Sequence, residues 1–313
     1  MRNKCIGQTI NEIIFNKKTS ALTSKSSSSS KPSSGTKANS IRQNVSSDSV
    51  RLNRIYGEKL GWYQYIEQIN DLLLPYSGKS NVSLGEEDFV YALMKWQHSK
   101  GIKDDGVLGK NTWKSIKQII RNKILWKTMS IRDGWTKEAD KIITDKFLPN
   151  VSRYENIARR LQSTNPKANL MPWWFIACIH SHESGSKFST HLHNGDPLTD
   201  YTKQVPAGRP KVGHEPPFTF EESAVDALTY QGFEKVLLWD FFHIFYLLEK
   251  YNGFGYYNKK INTPYTWSGT NHYEKGKFVK DSVWNPDFVS KQVGIAIIVK
   301  RLIDKGIIVI DDS

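Results

Sequence analysis

The chain has 313 residues, of which 38% are hydrophobic and 12% aromatic, and it carries a net charge of +13. That length accommodates two folded domains and a tail, with enough apolar mass for a sizeable core. The two cysteines, Cys5 and Cys178, exclude a disulfide framework and a CxxC metal motif, and no run approaches the roughly 20 apolar residues of a membrane span.

The charge is unevenly placed. Residues 1–50 hold eight Lys/Arg against two Asp/Glu, residues 51–150 hold 17 against 12, and residues 151–313 hold 19 against 17. The basic excess therefore sits on the first part of the chain. It points to an anionic partner such as nucleic acid, a membrane surface or a cell wall with anionic polymers, or simply to solubility. The ten tryptophans and fourteen tyrosines suit either a large core or a groove that stacks on carbohydrate.

In chain order, residues 1–18 place Ile6, Ile10, Ile13 and Ile14 at helical spacing, which predicts a docking segment or a marginal helix. The same residues make a poor signal peptide, because Gln, Asn and Glu break the apolar middle. If the protein acts outside the cytoplasm, a route other than general secretion is expected to take it there. Residues 19–50 are Ser-rich and ring-free, which predicts a flexible linker, and the whole of 1–52 is assigned to a basic, disordered tail. Basic residues without interleaved rings argue against nucleic-acid binding.

Folded sequence is expected from about Asn53. Tyr63, Ile66, Ile69 and Leu73 predict a helix stopped by Pro75. A second helix carries Phe89, Leu93 and Trp96 behind an acidic first turn, and a third carries Trp113, Ile116 and Ile120 after a turn at Asp105–Gly106. These make a small three-helix module over 53–125. Its segment FVYALMKWQHSKGIKDDGVLGKNTWKSI resembles the second half of the peptidoglycan-binding domain type 1. The resemblance rests on Trp96–Gln97, Gly101–Ile102, Asp105–Gly106, Gly109 and Thr112–Trp113. It implies binding to the bacterial wall, with Trp96, Gln97, Asp105, Gly106 and Trp113 as the residues of the module that match. Gly106 and Gly109 permit a tight turn, and Trp113 is expected to pack inward.

Residues 126–313 are read as a larger helical domain, so the fold class expected is mainly α. Within it, MPWWFIACIHSHESG predicts a helix on which Ile176, Ile179 and Glu183 share a face, broken at Gly185. A carboxyl carried on an apolar face to the negative end of a helix is expected to hold its proton near neutrality, as a general acid must. The alternative is a glutamate that caps a surface turn or pairs with Arg159 or Arg160.

Two further motifs bear on this choice. HESG resembles the Glu-Ser signature of goose-type lysozymes and lytic transglycosylases, and Lys250-Tyr251-Asn252-Gly253 resembles the Ala-Tyr-Asn-x-Gly motif of that superfamily. The longer run through STHLHNGDPLT, VPAGRPK, PPFTFEESAVDAL, YNGFGY, PYTWSGTNHY and GKFV looks like phage-type lysozyme-like domains, over about 151–305. The resemblance implies cleavage of the β-1,4 bond after N-acetylmuramic acid, with Glu183 as proton donor. The Gly-Leu-Met-Gln motif of lytic transglycosylases is replaced by HNGDPLT, so muramidase and lytic transglycosylase both stay open.

For a second carboxylate, Asp196 comes first and Asp200 second, with a structural turn role for Asp196 also open. Glu221 and Glu222 are expected to stabilise the start of a helix. His180, His182, His191 and His193 raise a metal-hydrolase alternative, but helical residues two apart point about 200° apart, so His180 and His182 cannot share an ion. No cofactor and no metal is expected. His193 and Asn194 are read as polar groove lining. Tyr251 and Asn252 carry over as substrate-binding residues, and Trp267 and Tyr273 are read as groove walls or core. The partner expected is peptidoglycan, together with a phage or injection-machine structural protein through the tail. The competing reading is an inactive wall anchor in such a machine.

Overall fold

The computed structural model describes residues 45–80, 83–280 and 283–310. Cys5, the docking segment at 1–18 and nearly all of the linker lie outside the described residues. The described chain is mainly α-helical and falls into two compact units. One takes in the chain up to Gln97 together with Asp104–Trp113, and the other His98–Lys103 together with Lys114–Ser313.

The first unit begins earlier than expected. Helix α1 spans Ser47–Leu60, so the last residues assigned to the tail are helical; Ser46 caps it by accepting from the Asp48 amide at 3.2 Å. Its buried positions are Ser49, Asn53 and Gly57, a polar inward stripe that apolar periodicity cannot detect. The Asn53 side chain donates to the Gly106 carbonyl at 2.8 Å and accepts from the Leu108 amide at 2.7 Å, and Ser49 donates to the Asp105 carbonyl at 2.8 Å. Helix α1 thus folds because a turn some fifty residues away supplies its polar partners.

A 3₁₀ turn at Trp62–Tyr65 leads into α2, Ile66–Ser77. Pro75 does not stop this helix. It lies inside the last turn, where one missing donor is tolerated, and the end comes at Gly78 with φ 69°. Helix α3 spans Glu86–Ser99, and α4 spans Lys110–Lys127. Among the described residues, 47–127 therefore carry four helices where three were expected, and α4 belongs to the first unit only as far as Trp113. Its core includes Trp62 stacked on Phe89 at 5.6 Å, and Tyr65 against Trp113 at 5.2 Å.

In the second unit, α5 (Trp135–Ile142) runs on through a π turn and a 3₁₀ turn into α6, Val151–Thr164. Helix α7, Trp173–Ser184, is buried at every position from Trp174 to His180, as an all-round apolar helix must be. A long irregular stretch then reaches α8, Phe220–Tyr230. Next come α9 (Phe241–Asn252) and two single-turn helices, α10 (Gly255–Asn258) and α11 (Pro264–Trp267). Strands β1 (Lys277–Lys280) and β2 (Val283–Asn285) pair antiparallel, with Phe278 opposite Trp284, and α12 spans Ile295–Asp304. Helix α7 packs on α6 and α9, α8 on α6, and α11 on α9 and α12. The core is built around α7, and Glu183 leaves it on that helix's last turn.

Candidate active site

Helix α7 ends by a glycine-dependent device. Gly185 takes φ 62°, its amide bonds the Ser181 carbonyl at 3.2 Å, and the Ser186 amide bonds the His180 carbonyl at 3.1 Å. Glu183, two residues before the glycine, is half-buried. Burial pushes its carboxyl up to about 7, and the Tyr265 hydroxyl, donating to Oε1 at 3.1 Å, pulls slightly the other way. Neither guanidinium expected beside it forms an ion pair with it among the described residues. Arg159 bonds Glu155 at 3.4 Å, and Arg160 lies beside Glu221. Among the described residues Glu183 has no ion pair.

The groups around this carboxyl are neutral. Tyr265 and Tyr251 are both held well above the usual phenol range, first by burial and then by the charge of Glu183. Tyr251 donates to the Leu192 carbonyl at 2.8 Å. His182 lies against Tyr265 with ring centroids 4.5 Å apart, and its Nδ1 faces the Cys178 carbonyl at 3.1 Å, which makes Nδ1 the donor. Burial lowers His182 to about 4, so it is uncharged at neutral pH. With no cation to favour ionisation, the carboxyl at position 183 keeps its proton into the neutral range.

The HNGDP loop lies against the end of α7. Gly195 has φ 81°, and a Cβ there would stand 2.9 Å from the Glu183 carbonyl oxygen, so only glycine permits the approach. Asp196 closes this loop. Its Oδ2 accepts from Asn194 Nδ2 at 3.0 Å and from the amides of Lys203 and Gln204 at 2.8 and 3.1 Å. Burial works against its charge, but those donors win and hold the carboxyl below its ordinary range. Asn194 is engaged in the same clasp: its Oδ1 accepts from the Asp196 amide at 3.1 Å, and its Nδ2 also reaches the Gln204 carbonyl at 3.2 Å. Asp200 is exposed and paired with Lys203 at 3.1 Å.

Several residues read as groove lining are not on the surface. His193 is buried, with Nε2 at 2.9 Å from Asp226 and Nδ1 at 3.3 Å from Ser223, so it supports the loop from beneath. Its partners lie some thirty residues on and were invisible to local pattern. Trp267 is wholly buried, and its indole donates to Glu249 at 3.1 Å. Tyr273 is 2% exposed, and its hydroxyl donates to the Gly276 carbonyl at 3.1 Å. Both are core, not walls. Asn252 is exposed at the end of α9 and donates to Thr263 Oγ1 at 3.1 Å.

Three other polar side chains singled out in the sequence are tied into the fold. His191 bonds Ser223 and the Asp200 carbonyl, both at 2.8 Å, and His180 bonds Tyr154 at 2.9 Å. Glu222 completes a capping box with Thr219, whose amide and hydroxyl hold its carboxyl down to about 2. Among the described residues no group of three or more His, Cys, Asp or Glu is arranged to hold a metal ion.

Of the motif residues, Trp96, Gln97, Gly106 and Trp113 are internal. Trp96 and Gln97 are each 1% exposed and Trp113 is 6% exposed. Gln97 Oε1 accepts from the Gly106 amide at 2.8 Å and its Nε2 donates to Asp105 at 3.2 Å. Gly106 takes φ 67°, and a Cβ there would meet Val90 at 2.7 Å. Gln97, Asp105 and Gly106 build the turn, with Asp105 half-buried.

The residue that sequence reasoning missed is Tyr265. It stands two positions before Trp267 on α11, a single turn too short for periodicity to rank one ring above another. The usable signal was Thr263–Pro264, a cap and first-turn proline that fix where the turn begins, with the Thr263 side chain accepting from the Tyr265 amide. A half-buried carboxylic acid at about 7, among the described residues fixed by one phenol and touched by no cation, can protonate a leaving oxygen and then serve as a base. No protein-family model, no curated protein and no solved structure matches this chain.

Proposed function

We propose that the second unit is a peptidoglycan-cleaving glycosidase in which Glu183 protonates the glycosidic oxygen of the bond after N-acetylmuramic acid. The observation that carries this reading is the state of Glu183: half-buried, pushed up to about 7, bonded by the Tyr265 hydroxyl and free of ion pairs among the described residues. The motif resemblance at Glu183–Ser184 and Tyr251–Asn252 supplies the substrate class. Asp196 is engaged by three donors in closing its loop, which favours a site with one acid over a pair of freely placed carboxylates. Muramidase and lytic transglycosylase chemistry both remain compatible with a single acid. The mass of the products separates them, since hydrolysis adds water and transglycosylation does not.

The first unit, on the same reading, holds the enzyme to the wall through surface groups other than the buried motif residues. The site of action is the bacterial wall, reached by lysis or aboard a particle, with residues 1–18 as the docking segment. The test is Glu183→Gln assayed on purified sacculi. Release of soluble muropeptides should vanish while the protein still pellets with the sacculi. Undiminished release would remove the enzymatic reading, and pelleting by a parent protein that never releases product would favour the inactive anchor.

A further inference from the structure

A cavity of about 460 Å³ lies on α6 and the start of α8, lined by Ser152, Arg153, Asn156, Arg159, Arg160, Thr219 and Glu221. Its size falls in the roughly 300–1,000 Å³ range of ligand sites. Positions 152, 156, 159 and 160 recur at helical spacing, so one face of α6 delivers a hydroxyl, an amide and two guanidiniums, all exposed. Arg153 is fixed in place: its Nε donates to Glu221 at 2.7 Å, and its guanidinium lies 3.7 Å from the centre of the Phe188 ring. Its two Nη nitrogens are the donors that remain. Glu221 offsets Arg153 and the neighbouring Glu155 holds Arg159 at 3.4 Å, so three arginines against two carboxylates leave a net positive charge here.

We infer that this cavity holds the carboxylates of a peptidoglycan stem peptide, a reading that rests on the function proposed above. Guanidinium forks match carboxylates in two-point geometry, and Asn156 and Ser152 provide partners for a peptide backbone. A general polyanion surface fits less well, because residues 151–313 hold 19 Lys/Arg against 17 Asp/Glu and the arginines are a local concentration. The element that lines the cavity also packs on the helix that carries Glu183. Tyr154, next to Arg153, bonds His180 at 2.9 Å, one turn before Glu183, and Phe188 beneath Arg153 is five residues after it. Stem peptides branch from every N-acetylmuramic acid, so one that flanks the cleaved bond can reach this face.

The experiment is calorimetric titration of the full chain carrying Glu183→Gln with the tripeptide L-Ala-γ-D-Glu-L-Lys. Arms use the tripeptide with its D-Glu α-carboxylate amidated, and inorganic phosphate. Arg159→Ala/Arg160→Ala should weaken tripeptide binding at least tenfold, and amidation should weaken it comparably in the parent. A melting curve coincident with the parent's checks folding, and the exposed Asn156→Ala provides a second variant that should also weaken binding. Equal affinity in the variants, indifference to amidation, or binding of inorganic phosphate without the tripeptide would overturn the inference. Because no turnover is involved, such a failure leaves the sacculus assay of Glu183→Gln intact, and failure of that assay leaves this titration readable.

Discussion

Glu183 and Glu249 are both helical glutamates of the second unit, and burial pushes both carboxyls upward. Their surroundings differ. Glu249 is 4% exposed, accepts from the Trp267 indole and the Gln118 amide, and lies within reach of the Asn122 side chain and the charge of Arg121. Glu183 has one phenol and an open edge. A carboxyl ringed by donors serves as an internal hydrogen-bond acceptor, and changing its protonation disturbs several partners at once. A carboxyl with a single neutral donor can gain or lose a proton cheaply. Burial alone does not mark a chemical site; the count of donors around it does.

The contrast can be broken most forcefully by exchanging effects between the two acids. Glu183→Gln should lower the rate of muropeptide release by at least about 100-fold, the scale of a lost general acid, with no loss of melting temperature at pH 7. The sign of its pH dependence is opposite to that of a salt-bridged acid. The folded-state value near 7 lies above the unfolded one, so the folded form binds more protons and stability falls as pH rises through that window. The Gln variant should lack this slope. Glu249→Ala should behave in reverse, costing about 3 kcal/mol because buried donors on Trp267 and Gln118 lose their acceptor, with unchanged activity per folded molecule. Chemical unfolding alongside active-site titration would check both.

The two smaller effects sharpen the comparison. Asp196→Asn keeps an acceptor in the loop clasp and, on the proposed reading in which this carboxyl holds the loop, should lower activity less than about tenfold. A loss as large as that of Glu183→Gln would make Asp196 a second catalytic carboxyl. Tyr265→Phe removes the hydroxyl that favours the ionised form of Glu183. The alkaline limb of the rate profile should then move up by about half to one pH unit, each unit being worth 1.36 kcal/mol. A downward move would show that the phenol holds the protonated form.

What could be read from sequence follows from how local each signal is. Glu183 was legible because an apolar run, a charged residue and Gly185 are contiguous, and the α-helical class was legible from spacing alone. Helix α1 before Asn53 was not, since its inward face is Ser49, Asn53 and Gly57 and the partners of that face lie at 105–108. The burial of His193 depends on Asp226 and that of Trp267 on Glu249, pairs joined only by tertiary structure. The hairpin of β1 and β2 is too short for alternation to declare it. Motif residues such as Trp96 and Gln97 were visible, but their burial was not, because a motif is as readily built by a buried turn as by a binding surface.

Carbon-13 NMR of glutamate carboxyls across a pH series observes the Glu183 proton directly. The resonance that disappears in Glu183→Gln should titrate with a midpoint near 7 in the parent protein. A midpoint at or below the ordinary glutamate value of about 4.3 would contradict the account.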